Sequence, residues 1–233
     1  MNNWFRTSLI LNIFLLLTIG VLVKKIMVER RQQKEQKKYL ADNLKIIKAK
    51  RFSERKTIIS HPIIFLGDSH TEFFAINEFF NNSKILNRGI AGDETTNILN
   101  RLQEVTDRDP QKVFLEIGWN DLFAKNVSVD SCVKNVELIL SRLKMNSPKT
   151  IIYMESMFPS SRISLNKKPM INEVIQYNAM LKNYCKQNNI IFIDVFSSLV
   201  KGKALNPLYD RGDQVHLNEE GYGVWRNQLL KYL

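Results

Sequence analysis

Apolar and polar residues alternate along the chain in two distinct rhythms. Short apolar runs occur at Ile63-Ile64-Phe65-Leu66, Lys84-Ile85-Leu86-Asn87, Val113-Phe114-Leu115-Glu116-Ile117, Thr150-Ile151-Ile152-Tyr153-Met154 and Ile190-Ile191-Phe192-Ile193-Asp194. Continuous runs of this length suit strands buried on both faces of a parallel sheet. Between them, apolar residues recur at helical spacing. Ile98, Leu102 and Val105 mark a helix over 97–106, and Val136, Ile139, Leu140 and Leu143 one over 133–145. Ile171, Val174, Ile175, Leu181 and Tyr184 mark a third over 170–187, and Trp225, Leu229 and Leu230 a fourth over 221–233. Strands alternating with helices predict an α/β sandwich of three layers with right-handed crossovers.

The first 56 residues follow another pattern. Thr7–Val23 carries no charge and is apolar on nearly every face, with Lys24 and Lys25 directly after it. That length and those flanks predict a transmembrane anchor over 1–25 rather than a cleaved leader, since no small-x-small site precedes Lys24. Residues 26–56 contain no Pro or Gly and read as a polar helical stalk. The domains expected are therefore an anchor (1–25), a stalk (26–56) and a catalytic-sized unit (57–233).

Charge sharpens this division. The 233 residues carry a formal charge of +11, but residues 24–56 alone hold 13 Lys/Arg against 4 Asp/Glu, or +9. Residues 57–233 hold 20 basic and 19 acidic residues, so that unit is nearly neutral and nucleic acid is not an expected partner. The stalk is suited to anionic lipid headgroups, at about 1 kcal/mol per basic residue near the surface. Sidedness has two readings: the positive-inside rule places the large unit in the cytoplasm, whereas the family named below argues for export. Two cysteines are too few for a disulfide scaffold, and three histidines leave little material for a histidine metal cluster.

In such sheets the chemistry gathers at the carboxyl ends of the strands. Strand one ends in Gly67-Asp68-Ser69-His70-Thr71, a tight turn that offers a hydroxyl at a helix N-terminus. Strand two runs into Asn87-Arg88-Gly89-Ile90-Ala91-Gly92-Asp93-Glu94-Thr95. This segment lacks the first glycine of a dinucleotide-binding fingerprint. Strand three ends in Gly118-Trp119-Asn120-Asp121, which brings a side-chain amide to the same rim. Before the last helix, Asp213 and His216 stand three residues apart, the spacing for a base and the carboxylate that orients it. Each signal read alone is also an ordinary cap or turn; four in order at the ends of one sheet are not.

With these four blocks, residues 60–233 resemble the SGNH (GDSL-type) hydrolase superfamily, nearest its platelet-activating-factor acetylhydrolase-like branch. The resemblance implies a flavodoxin-like sandwich with a five-stranded parallel sheet in the order 2-1-3-4-5. It implies Ser69 as nucleophile, His216 as base and Asp213 as its orienting acid. Ser69 N–H, Gly92 N–H and the Asn120 side chain would form the oxyanion hole, with Gly89 as the alternative glycine. Neither metal nor organic cofactor is implied. Trp119 and Gly89 are candidate substrate contacts, and Phe158–Lys168 reads as a mobile rim. His70 departs from the family pattern and stands outside the implied proton relay. The function expected is a membrane-anchored serine esterase acting on acyl, chiefly acetyl, esters of a glycan or lipid. An O-acyltransferase with the same triad, and a catalytically idle tethered binding domain, are the alternatives.

Overall fold

The structure, a computed structural model, describes residues 3–54, 59–162 and 171–233, without the side chains of 3, 5–11, 13 and 14. Helix α1 runs unbroken from Asn3 to Glu54 and holds both the expected anchor and the stalk. From Leu15 to Val28 its described apolar side chains are largely exposed; Leu16 is 68% and Val21 68% accessible. The expected span, Thr7–Val23, falls in part on side chains outside the described ones. Among the described residues, no helix is long and apolar enough to cross a membrane. The transmembrane expectation therefore has no support from the fold.

The chain divides into two compact units, Met1–Ile47 and Lys48–Leu233. The second begins nine residues before the expected boundary at 57, because the last turns of α1 pack onto it. Lys48 pairs with Glu72. The Arg88 guanidinium lies 4.6 Å from the Phe52 ring centroid, and Arg108 Nη2 donates to the Phe52 carbonyl at 2.6 Å.

Within this unit, strands β1 (Ile63–Gly67), β2 (Ile85–Gly89), β3 (Lys112–Glu116), β4 (Ile151–Glu155) and β5 (Ile191–Ile193) pair in parallel. Their order is β2-β1-β3-β4-β5, as expected. Helices α4 (Thr95–Thr106), α5 (Val129–Asn146) and α6 (Ile171–Gln187) coincide with the predicted patterns to within a turn. The helix α8 (Glu219–Leu229) ends earlier than expected, in a single 3-10 turn over Leu230–Tyr232. Three short helices, α2 (Ser69–Phe73), α3 (Ile76–Phe80) and α7 (Phe196–Leu199), and the small hairpin β6 (Val200–Lys201) and β7 (Ala204–Leu205) complete it.

Alternation along the strands sorts the core into two layers. Ile64, Leu66, Val113, Leu115, Ile152 and Met154 face α4, α5 and α6 with Ile98, Val136, Ile139 and Leu181. Ile63, Phe65, Phe114, Tyr153 and Ile193 face the other side with Trp225 and Leu229 of α8. There the rings of Phe65, Phe114 and Tyr153 stack from strand to strand at 4.8 and 4.5 Å. Such stacked pairs add about 0.5–1.5 kcal/mol each beyond burial. Both cysteines are buried and unpaired in this core.

Candidate active site

Each expected functional residue sits where a strand hands over to a helix or loop. At the end of β1, Asp68 caps α2: its Oδ1 accepts the His70 N–H at 3.0 Å. This cap holds Ser69 at the first position of the helix. Across the site, a loop precedes α8, whose own cap is Asn218, with Oδ1 accepting the Gly221 N–H at 2.9 Å. That loop folds around two carboxylates. Asp210 Oδ1 accepts the N–H groups of Gly212 and Gln214, and Asp213 Oδ1 accepts those of Val215 and His216 at 3.1 and 2.8 Å. Gln214 takes a positive φ of 70°, a conformation that costs a non-glycine residue about 1 kcal/mol or more. Hydrogen bonds from Ser160 Oγ (2.8 Å) and Ser161 N (2.9 Å) to its carbonyl hold it there.

The outcome is a continuous relay. Ser69 Oγ lies 2.8 Å from His216 Nε2, and His216 Nδ1 lies 2.7 Å from Asp213 Oδ2. With Nδ1–H donating to the carboxylate, Nε2 is left to accept the serine proton. Partial burial works against an ionised Asp213, but the His216 amide and ring and the Val215 amide outweigh it and bring its pKa down to about 2. Burial lowers the His216 pKa, with Asp213 pulling it up and the charges of His70 and Arg211 pushing it down. The ring thus stays neutral, as a base must, in neutral solution.

Ser69, Gly92, Trp119, Asn120, Asp213 and His216 line one open cleft of about 550 Å³, together with Phe73, Ala91, Ala124, Arg162, Gln214 and Val215. Gly92 has φ of 79°, a left-handed turn that a glycine takes at no steric cost. Asn120 donates its amide hydrogens to Asp93 O at 2.9 Å and Asp68 Oδ2 at 3.2 Å. Trp119 both lines the cleft and packs on Phe123, ring centroids 5.2 Å apart. Its indole N–H is buried with no hydrogen-bond partner among the described residues.

Gly89 is placed elsewhere and corrects the expectation of a substrate contact. It ends β2 under α2, where a Cβ would come within 2.2 Å of the Glu72 nitrogen, and it borders a separate depression with Lys48 and Phe52. Its role is close backbone packing. Of the expected rim, 163–168, with Lys167 and Lys168, lies outside the described residues.

Several site residues had no motif to announce them. Phe73 sets its ring 5.3 Å from that of His216 and lies 5.1 Å beneath the Arg211 guanidinium. Glu116, a charge inside an apolar run, is fully buried below the cleft with Asp68 and His70. Burial and the Asp68 charge push the Glu116 pKa well above the carboxylate range, with His70 opposing them. One side-chain atom from each of these three groups lies within 4.8 Å of the other two.

Against known proteins, the sequence pattern of the GDSL-like Lipase/Acylhydrolase family matches residues 65–224, which include every residue of this relay. The chain belongs to that family. Among curated relatives, human platelet-activating factor acetylhydrolase IB subunit alpha2 is 23% identical over 167 residues, covering 69% of this chain and 70% of its own length. Among solved structures, a GDSL-like lipase from Bacteroides thetaiotaomicron superposes with a TM-score of 0.71 at 26% identity, covering 79% of this chain and 96% of its own. An acetylxylan esterase from Geobacillus stearothermophilus shares the fold, with a TM-score of 0.59 at 21% identity over 75% of this chain and 94% of its own. As a member of this family, the protein is a hydrolase of the esterase and acylhydrolase kind.

Proposed function

We propose that the protein is a serine esterase that removes small acyl groups, acetyl foremost, from hydroxyls of a glycan or lipid through an acyl-Ser69 intermediate. The observation that carries this reading is the relay itself, 2.8 Å from Ser69 Oγ to His216 Nε2 and 2.7 Å from His216 Nδ1 to Asp213 Oδ2. Ser69 attacks the ester carbonyl while His216 takes its proton. Asp213 keeps the ring in the tautomer that allows this and stabilises the imidazolium. The negative oxygen is received by the Ser69 and Gly92 N–H groups and by an Asn120 hydrogen drawn from its present acceptors. His216 then returns the proton to the leaving alcohol, and water repeats the sequence to free the acid. The small side chains of Ala91 and Ala124 in the cleft suit a short acyl group. The acetyl-ester specificities named for the human relative and the Geobacillus esterase point the same way.

The test is turnover by the full chain on p-nitrophenyl acetate, butyrate and octanoate and on acetylated oligosaccharides. Acetate esters turning over fastest supports the reading; preference for octanoate overturns it. The intact relay argues against an idle binding domain, and fluorophosphonate labelling that disappears in Ser69→Ala settles that point.

The same proposal includes a tether. The uncharged stretch Thr7–Val23, with exposed apolar side chains following from Leu15 and a +9 stalk behind it, is suited to a membrane anchor with anionic headgroups alongside. Retention of the full chain in membranes after alkaline extraction supports the tether, and release overturns it. Protease protection of the catalytic unit in sealed vesicles reads its side.

A further inference from the structure

His70 follows the nucleophile directly, is 2% exposed, and takes no part in the relay. Its Nε2 lies 3.0 Å from the carbonyl of Val215, the residue immediately before His216. A carbonyl only accepts, so Nε2 carries a proton and donates it. Nδ1 is thereby turned inward, 3.5 Å from Asp68 Oδ1 and 3.7 Å from Glu116 Oε2. These are ion-pair rather than hydrogen-bond distances. Neither Nδ1 nor either Glu116 oxygen has a hydrogen-bond partner among the described residues. A neutral ring would aim its Nδ1 lone pair at two buried carboxyl groups. A protonated ring instead turns an N–H toward these buried carboxyl groups.

The surroundings fix the ring on every side. The Phe158 ring meets it edge-on at 5.0 Å, and the Tyr222 hydroxyl of α8 donates to the His70 carbonyl at 3.0 Å. The His216 ring stands 5.3 Å away. The charged and titratable groups around the pair are Asp68 from the β1 turn, Glu116 from β3 with Glu155 of β4 acting on it, and Asp213 and Arg211 from the catalytic loop.

We propose that His70 is a positioning residue for the esterase reaction: as an imidazolium seated between Asp68 and Glu116, it braces the catalytic loop through Val215 and holds His216 at hydrogen-bonding distance from Ser69. It touches no substrate; it acts through the backbone of its neighbour in space. The inference rests on the serine-esterase reading. Its failure is distinguishable, because loss of labelling in Ser69→Ala tests that reading alone.

Two variants of the full chain separate brace from charge. Glutamine keeps an N–H that reaches Val215 O but carries no charge; leucine supplies neither. His70→Leu is expected to lower kcat on the order of ten- to a hundredfold through misplacement of the base, with KM changed less than about twofold. The kcat of His70→Gln is expected to lie nearer the wild type. Both variants remove a positive neighbour from His216, so the acid limb of the kcat/KM profile moves to higher pH in both. Ring-nitrogen NMR of the full chain is expected to show His70 doubly protonated at neutral pH even if His70→Leu fails to fold. A neutral His70 ring, or His70→Leu with wild-type kcat and acid limb, overturns the proposal. So does loss of activity on chelation together with a Tm rise on adding Zn²⁺, which would give the centre of the cluster to a metal.

Discussion

Ser69 is an ordinary serine made reactive by what stands 2.8 Å away. Replacing it with alanine removes the attacking oxygen and little else, since Oγ has no packing role in the open cleft. Hydrolysis by Ser69→Ala is expected to fall at least about 10³-fold with Tm unchanged, by comparison with other triad enzymes; turnover at the wild-type rate would remove Ser69 from the chemistry. Asn120→Ala deletes a donor from the rim and should lower kcat about 10²–10³-fold with KM nearly constant. Burial and the nearby positive charges depress the His216 pKa. The kcat/KM profile should therefore fall on the acid side below the usual histidine value of 6.5, and a limb above that value would contradict the electrostatics. The relay residues were readable in advance because four short blocks preserve their identities. The His70–Glu116 pair was not: the charge at 116 stood out in an apolar run, but its partner lies on another element and comes near only through strand pairing.

The loop between β2 and α4 shows how elements, rather than residues, build the rim. Arg101 of α4 donates Nε to Asp93 at 2.8 Å and Nη2 to the carbonyls of Gly67 and Arg88 at 3.2 and 2.8 Å. One buried guanidinium thus ties together β1, β2 and the loop that carries Gly92. Asp121 adds a second tie, accepting the Thr95 N–H at 2.9 Å and its hydroxyl at 2.5 Å, and Glu72 accepts the Ala91 N–H. Arg101→Ala leaves Asp93 buried without its counter-charge, a loss of about 3–5 kcal/mol. Urea unfolding should show it as a lower midpoint, with esterase activity falling as the rim loosens. The long elements were predictable because periodicity over ten or more residues averages out single exceptions. Helices of four or five residues, such as α2, α3 and α7, carry too few positions for a period; packing holds them, with the Asp68 cap added in α2.

Across the molecule, charge is segregated: a basic stalk and a nearly neutral catalytic unit. Inside that unit, titratable groups are buried where the two layers meet the site. Burial raises the Glu155 pKa to about 8, against the hydrogen bond it accepts from Trp225. The native state therefore keeps a proton that the unfolded chain releases near 4.5, and stability falls as pH rises between those values. The His70 pKa, raised to about 9 by Asp68 and Glu116 against the cost of its burial, acts in the same direction between 6.5 and about 9. Tm is expected to decline with pH across this window, and Glu155→Gln, which still accepts from Trp225, to flatten the decline. A Tm that rises with pH over the same range would show these groups to be deprotonated in the native state.

The five apolar runs and the residues after them already dictated a parallel sheet and the chemistry at its rim. Burial on both faces selects continuous hydrophobic strands, and reactive side chains collect at their carboxyl ends. Distances across the sheet decided the rest. Gly92 rather than Gly89 borders the cleft, since a backbone under α2 leaves Gly89 no space. His70 meets Glu116 because β1 and β3 are neighbours, though the two residues stand 46 positions apart in the sequence. A side chain's identity is local information, whereas the field it sits in is summed over everything the fold brings near.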